Sequence, residues 1–380
     1  MDKVRIGVIG LGNMGSGHAG DFVPKSPGAL LTAVCDIVRE KCEAYEGVAK
    51  FTSSAELIRS GLVDAIIIAT PHYDHTPIGI DAFENGIHVL VEKPISAHVA
   101  DGDRLIAAKP SNLVFSVMFQ TRTSSAFQTI KKVIQDGELG EIKRVNWIVT
   151  NWFRSAAYYA SSEWRATWKG EGGGVLLNQC PHNLDLYQWL FGMPKSVTAF
   201  CGYGKYHEIE VEDAVTAYFE YPSGATGVFI TTTGEAPGSD RLEIAGDRGR
   251  LVFEKGLITF DRTNGSVQEY SDSTPESFPS MPTWKCEIPY GSQGPSHMKI
   301  LANFLQAIQT GAPLIAPGEE GIKSLELTNA MLLSSWQNKT VRLPIDREEY
   351  LEQLGKRIAE STLHKKVSDS VVVDMAASFH

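Results

Sequence analysis

Cysteine is sparse. Five occur in 380 residues, at positions 35, 42, 180, 201 and 286, an odd number with no C-x-x-C spacing. Neither a disulfide framework nor a zinc knuckle is suggested. Long apolar runs are missing, so no segment approaches the length of a membrane helix. The apolar stretch Val4–Leu11 is short and interrupted by glycine, unlike a signal peptide, and a reducing cytoplasm is the expected compartment. Basic blocks are absent too, and the formal net charge is −10. That argues against a nucleic-acid partner and against attraction to an anionic membrane. No internal repeat occurs. What remains is an ordinary globular composition, 43% hydrophobic and 21% charged, on a chain long enough for two cores.

The first third alternates apolar strands with helices. Val4–Gly10, Leu30–Asp36, Val63–Thr70, the segment His88–Pro94 and Leu113–Gln120 read as strands. Helical character starts near Met14 and recurs over Val38–Tyr45, Thr76–Asn85 and Val99–Ala108. Near-continuous apolar strands separated by helices predict a doubly wound parallel sheet over residues 1–122. After Arg122 the pattern changes. A helix is expected at Ser125–Gln135, followed by strands joined at Pro222-Ser223-Gly224 and at Gly246-Asp247-Arg248-Gly249. Helices at Val175–Phe191, His297–Thr310 and Glu319–Gln337 complete an α+β domain over 123–343 with a large, mostly antiparallel sheet. A helical tail, with a helix over Arg347–Leu354, is expected over 344–380. Ser271–Ser280, rich in serine and proline, reads as a loop.

Gly10-Leu-Gly12-Asn13-Met14-Gly15 fits G-x-G-x-x-G. Alone the match is weak, but here it follows a strand and opens a helix, the setting in which backbone N–H groups and a helix N-terminus receive a pyrophosphate. Asp36, 21 residues after Gly15, ends the second strand. A carboxylate there accepts from ribose hydroxyls and repels a 2′-phosphate, which favours NAD. Arg39 nearby leaves NADP possible. Thr70-Pro71 and Glu92-Lys93-Pro94 close the next two strands and therefore border the same crevice. Pro94 ends the ladder and directs Lys93 to the nicotinamide end. Gln120 and Arg122 end the last strand and should face the crevice. His72 and His75 flank Tyr73-Asp74 without a third ligand, so no metal is expected.

At these residues the chain resembles the glucose–fructose oxidoreductase / inositol dehydrogenase / rhizopine-catabolism (Gfo/Idh/MocA) family. The likeness runs from "GVIGLGNMG" through "ATPHYDHTPIGIDAFENGIHVLVEKP" to "EWRATWKGEGGGVLLNQCPHNLDLYQWLFG". It implies a Rossmann domain, a second domain on an open sheet, a nicotinamide cofactor, a sugar or polyol substrate, and a homodimer or homotetramer. It also implies that Lys93 lies beside nicotinamide and substrate, that His182 is the general acid/base, and that Trp164-Arg165 lies near the cofactor. The family motif carries an aspartate four residues before the histidine, where this chain has Asn178.

On a continuous helix Asn178 and His182 share a face, Asn178 able to hydrogen-bond and orient a substrate hydroxyl, and Asp185 able to hold the imidazole tautomer or equally to bond nearby backbone. Alcohol oxidation needs a base for the hydroxyl proton, a cation or donor for the developing alkoxide, and an aligned C–H. His182 and Lys93 suit the first two. His75 is expected at the cofactor; Tyr158, Tyr159 and His297 are expected in the substrate pocket, with Ser155–Gly170 and Ser271–Ser296 carrying specificity. Three functions fit: NAD(P)-dependent oxidation of a sugar, glycoside or cyclitol hydroxyl; a glycosidase acting by transient oxidation and elimination; and a non-catalytic dinucleotide sensor.

Overall fold

The computed structural model describes residues 2–363 and 365. Six parallel strands form the first sheet: β1 (Val4–Ile9), β2 (Ala29–Cys35), β3 (Ala49–Phe51), β4 (Ala65–Ile68), β5 (His88–Val91) and β6 (Phe115–Val117). Their order is β3-β2-β1-β4-β5-β6. The isoleucines of β4 are buried on both faces, as a strand covered by helices from either side requires. The order reverses between β1 and β4, so the carboxyl ends of these strands flank a switch point, where ligands of such sheets bind.

Nine strands form the second sheet: β7 (Ile142–Val149), β8 (Ser196–Tyr203), β9 (Glu212–Glu220), β10 (Thr226–Thr232), β11 (Asp240–Gly246), β12 (Gly249–Glu254), β13 (Leu257–Thr263), β14 (Thr283–Glu287) and β15 (Val341–Arg342). All neighbours are antiparallel except β7 and β10. Alternation selects the faces. Val215, Ala217 and Phe219 of β9 point inward, while Thr216 and Tyr218 point out. Buried Trp147, Tyr187, Phe219 and Phe229 meet ring to ring beneath the helix Pro181–Phe191. The helix Gly321–Gln337 packs on β8 and also on Val99–Ala107 of the first domain.

Four features differ from the sequence expectation. The helix Val175–Phe191 is two pieces, Val175–Asn178 and Pro181–Phe191. Pro181 supplies no N–H and would clash with the carbonyl four residues back, so it starts a helix rather than continuing one. The serine-rich segment contains the end of a helix, Val267–Ser273, and is followed by β14. Residues 297–317 return to the first sheet: Leu305 lies against Gly28, and Val117 N donates to Ala316 O at 3.1 Å. The tail helix runs from Arg347 to Glu360; residue 364 and those from 366 onward lie outside the described residues. Among the described residues no helix is long and apolar enough to cross a membrane.

Arg122 does not face the crevice. It is 1% exposed and clamps three segments. Nε and Nη2 donate to the two oxygens of Asp185 at 2.7 and 2.6 Å, and Nη1 donates to Glu320 Oε2 at 2.5 Å and Ile315 O at 3.0 Å. Its guanidinium also stacks near Phe119 and Trp189. Asp185 is consumed by this bidentate pair, which is why it does not orient His182. Breaking a buried pair strands a charge. Arg122→Met should therefore lower stability by about 3–5 kcal/mol, read as the midpoint of urea unfolding, and adding Asp185→Leu should recover most of the loss.

Candidate active site at the domain junction

A cavity of about 850 Å³ runs from the glycine turn and Asp36, past the ends of β4 and β5, to Lys93, Asn178 and His182. The turn is shaped by steric necessity. Gly10 has φ +87°, and a Cβ there would sit 2.7 Å from Ala69 O; at Gly15 it would sit 1.7 Å from Gly10 O. Gly15 is thus a buttress under the turn and does not itself line the cavity. Gly12 faces open space within it, next to Asn13 and Met14. Helical structure begins at Asn13.

Asp36 is buried at the end of β2. Its Oδ2 accepts from Leu11 N at 2.7 Å and its Oδ1 from Val38 N at 2.9 Å, which pins the carboxylate beside the turn. The cation facing it is Lys41, at 3.3 Å. Arg39, expected there, instead pairs with Glu43 on the surface and does not line the cavity. The helix geometry explains the exchange: it starts at Arg39, and two residues further on brings a side chain back toward the strand end. Thr70 and Pro71 line the next portion, with Thr70 Oγ1 buried and without a partner among the described residues. An open glycine turn, a fixed carboxylate and an unsatisfied hydroxyl facing one cavity fit a dinucleotide.

At the far end the two domains meet. Lys93 Nζ, from the loop after β5, donates to Asn178 O in the second domain at 2.8 Å. Burial and the charges of Arg165 and Arg154 lower its pKa, while Glu92 and Glu171 oppose the drop. Burial alone would raise Glu92, but its hydrogen bond with His18 (Oε1 to Nε2, 2.7 Å) and nearby positive charge hold the carboxyl at about 2. Glu92 is therefore a fixed anion. His182 lines the cavity and is 5% exposed. Its Nε2 lies 3.1 Å from Gln120 Nε2, and its Nδ1 has no partner among the described residues. Burial and then the Lys93 charge depress it well below the ordinary imidazole value, so the ring is neutral near pH 7.

The second domain closes this end with residues 152–179. Tyr158 OH donates to Asn178 Oδ1 at 3.1 Å and accepts from Arg165 Nη1 at 2.5 Å. Arg165 also lies over the Tyr158 and Trp164 rings, and Trp164 meets His72 edge-on. His297 reaches the cavity from the returning helix, stacked on Phe22.

Two further expected residues lie elsewhere. His75 is inside the helix His72–Glu84, its ring nitrogens against Thr70 O and Pro94 O, each at 2.9 Å. It ties the two strand-end loops together and does not line the cavity. Tyr159 is buried, its OH bonded to Thr233 Oγ1 at 2.8 Å. Residues 271–296 do not line the cavity; its wall at this end is the 152–179 segment. Trp152, Arg154, Gln179, Lys41 and His72 line it without having been anticipated, because no motif marks them. Among the described residues no group of three or more His, Cys, Asp or Glu is placed to hold a metal ion.

Comparison with known proteins agrees with this geometry. The family model "oxidoreductase family, NAD-binding Rossmann fold" of GFO/IDH/MocA matches residues 4–119, and the GFO/IDH/MocA C-terminal domain matches 127–252. Myo-inositol 2-dehydrogenase of Thermotoga maritima is 25% identical over 90% of this chain and 98% of its own. The scyllo-inositol 2-dehydrogenase (NAD(+)) of Bacillus subtilis is 27% identical over 66% and 74%. Among solved structures, the WlbA dehydrogenase from Bordetella pertussis, in complex with NADH and UDP-GlcNAcA, superposes with a TM-score of 0.76 at 28% identity, covering 90% of this chain and 100% of that one. A nucleotide-binding parallel sheet, a second domain that closes over its switch point, and matches across both halves lead to one conclusion: the chain belongs to the GFO/IDH/MocA family and is an NAD(P)-dependent oxidoreductase.

Proposed function

We propose that the chain oxidises a secondary hydroxyl of a sugar or polyol, with His182 taking the hydroxyl proton and Lys93 steadying the oxygen. The observation that carries this reading is that an amine from the first domain and a neutral imidazole from the second line one cavity beyond the cofactor turn. Bound NAD supplies the acceptor for the hydride leaving the carbinol carbon. The alcohol loses that hydride and one proton and becomes a ketone; the proton passes to the His182 ring. The ammonium of Lys93 donates to the oxygen as negative charge grows on it. The two kinds of dehydrogenase among the relatives, acting on inositols and named with a nucleotide-sugar acid, set the substrate panel: inositols, free sugars, glycosides and sugar acids. Sugar acids are included because Arg154 and Arg165 line the same end.

His182→Ala should lower kcat by about 10²–10⁴-fold, and Lys93→Met by a comparable 10²–10³-fold, read as reduced nicotinamide at 340 nm. In the oxidative direction His182 must be neutral. Because its pKa lies below the ordinary 6.5, kcat/KM should hold as pH falls through 6.5 and drop only further into acid. An acid limb centred at 6.5 or above sinks the assignment. Product sugar without net NADH would point instead to transient oxidation followed by elimination.

We also propose a preference for NAD over NADP, supported by the pinned Asp36. Losing a charged acceptor for a ribose hydroxyl costs about 1.5–3 kcal/mol. Asp36→Asn should accordingly narrow the ratio of kcat/KM with the two cofactors by about tenfold or more, measured in parallel.

Homodimer or homotetramer formation is proposed through the outer face of the second sheet, where Phe200 is 65% and Tyr218 40% exposed on the same side. Light scattering should give a multiple of 41.6 kDa, reduced by Phe200→Glu.

A further inference from the structure

Lys93 is an ammonium recessed at a domain junction, and the side chain that follows it across the junction is a neutral amide. Two carboxylates act on the ammonium from nearby, Glu92 and Glu171. Glu92 is engaged with His18. Glu171 belongs to the second domain, is 1% exposed, and precedes the Gly172-Gly173-Gly174 turn. Neither domain's motif gives it a part in the site.

Its two oxygens have separate tasks. Oε2 accepts from Ala166 N at 2.6 Å. Ala166 has φ +55°, a left-handed conformation costly for a residue with a Cβ, so this hydrogen bond holds a strained turn in place. Oε1 accepts from Asn178 Nδ2. That bond orients the whole amide, whose Oδ1 then accepts from Tyr158 OH and Gln179 Nε2, while the backbone oxygen of the same residue accepts from Lys93 Nζ. An aspartate at 178 would set two carboxylates in hydrogen-bond contact, and one would have to take up a proton. Burial pushes the Glu171 carboxyl up, and Arg165, the Ala166 N–H and the donating amide of Asn178 oppose that rise and favour its charged form.

We propose that Glu171 is the positioning carboxylate of this site: it holds Lys93 charged and in place from behind Asn178, so that the negative charge stands at 171 and the neutral group at 178. The proposal rests on the reading of Lys93 as the group that steadies the substrate oxygen. It predicts that charge can be exchanged between the two positions.

The test compares Glu171→Gln, Asn178→Asp and the double variant Glu171→Gln/Asn178→Asp in the full-length protein. The primary readout is the titration of the Lys93 ammonium, followed by NMR of lysine-labelled protein and assigned by its loss in Lys93→Met. This needs no turnover. Glu171→Gln should move the titration down by about one pH unit or more, and the double variant, whose charge stands nearer Lys93, should return it to the wild-type position or above it. The alkaline limb of kcat/KM should move in parallel. A Glu171→Gln titration coincident with wild type overturns the proposal. So does a double variant that titrates like Glu171→Gln alone, which would leave Glu171 only the task of holding the Ala166 turn. If Glu171→Gln does not fold, the folded double variant decides: a titration at or above the wild-type position supports the exchange, a lowered one refutes it. Full turnover in Lys93→Met would sink the catalytic reading of the lysine while leaving the titration result to stand on its own.

Discussion

The hydrogen bond from Lys93 Nζ to Asn178 O sets the distance between the halves of the site. It joins the end of a buried parallel strand to the short helix in front of the second sheet, and the cofactor cavity passes beside it. An ammonium withdrawn from water at this point needs compensation, which Glu92 and Glu171 provide from opposite domains. The same ammonium lowers the His182 pKa. Keeping the lysine charged and the imidazole neutral are therefore one electrostatic arrangement, and the alcohol oxidation proposed above uses both states together.

Rigidity around this contact comes from groups that never touch it. Arg122 locks the end of the first domain to the helix bearing His182 through Asp185, and to the returning segment through Glu320 and Ile315 O. His75 bridges the loops after β4 and β5. The helix Gly321–Gln337 packs on both domains. Each lies behind the cavity, where side chains can be buried and fully bonded without obstructing a ligand.

Most of the fold was legible because its signals are local. Apolar runs at β1, β2, β4 and β5 mark a parallel sheet, and Pro222-Ser223-Gly224 marks the β9–β10 hairpin. That the turn at Gly10–Met14, Asp36 and Lys93 line the cavity was legible for the same reason, since each sits at a strand end or in a compact motif; His182, which also lines it, came through the family resemblance. The misreadings have different origins, a distant partner in one case and a local boundary in the others. Arg122 and Asp185 looked like site residues until each met the other across 63 positions. Arg39 and Lys41 are both cations near Asp36, and only the true start of their helix selects Lys41. Pro181 was a local warning of the broken helix, outweighed by the apolar periodicity on either side of it.

Position 178 shows the difference between reading a motif by residue identity and reading it by charge. Scanned position by position, an asparagine four residues before His182 counts as a lost acid. In three dimensions the glycine turn at 172–174 folds Glu171 back onto that asparagine. The pair presents a carboxylate set one side chain deeper, behind an amide that fixes Tyr158 and, through it, Arg165. Moving the charge back lengthens its path to Lys93 and weakens the attraction, as Coulomb's law requires. It also removes an anion from the cavity surface, where it would repel an anionic substrate. On the proposed reading of Lys93, the cost in lysine charge and the gain in tolerance of an acidic substrate follow from the same displacement of charge from 178 to 171.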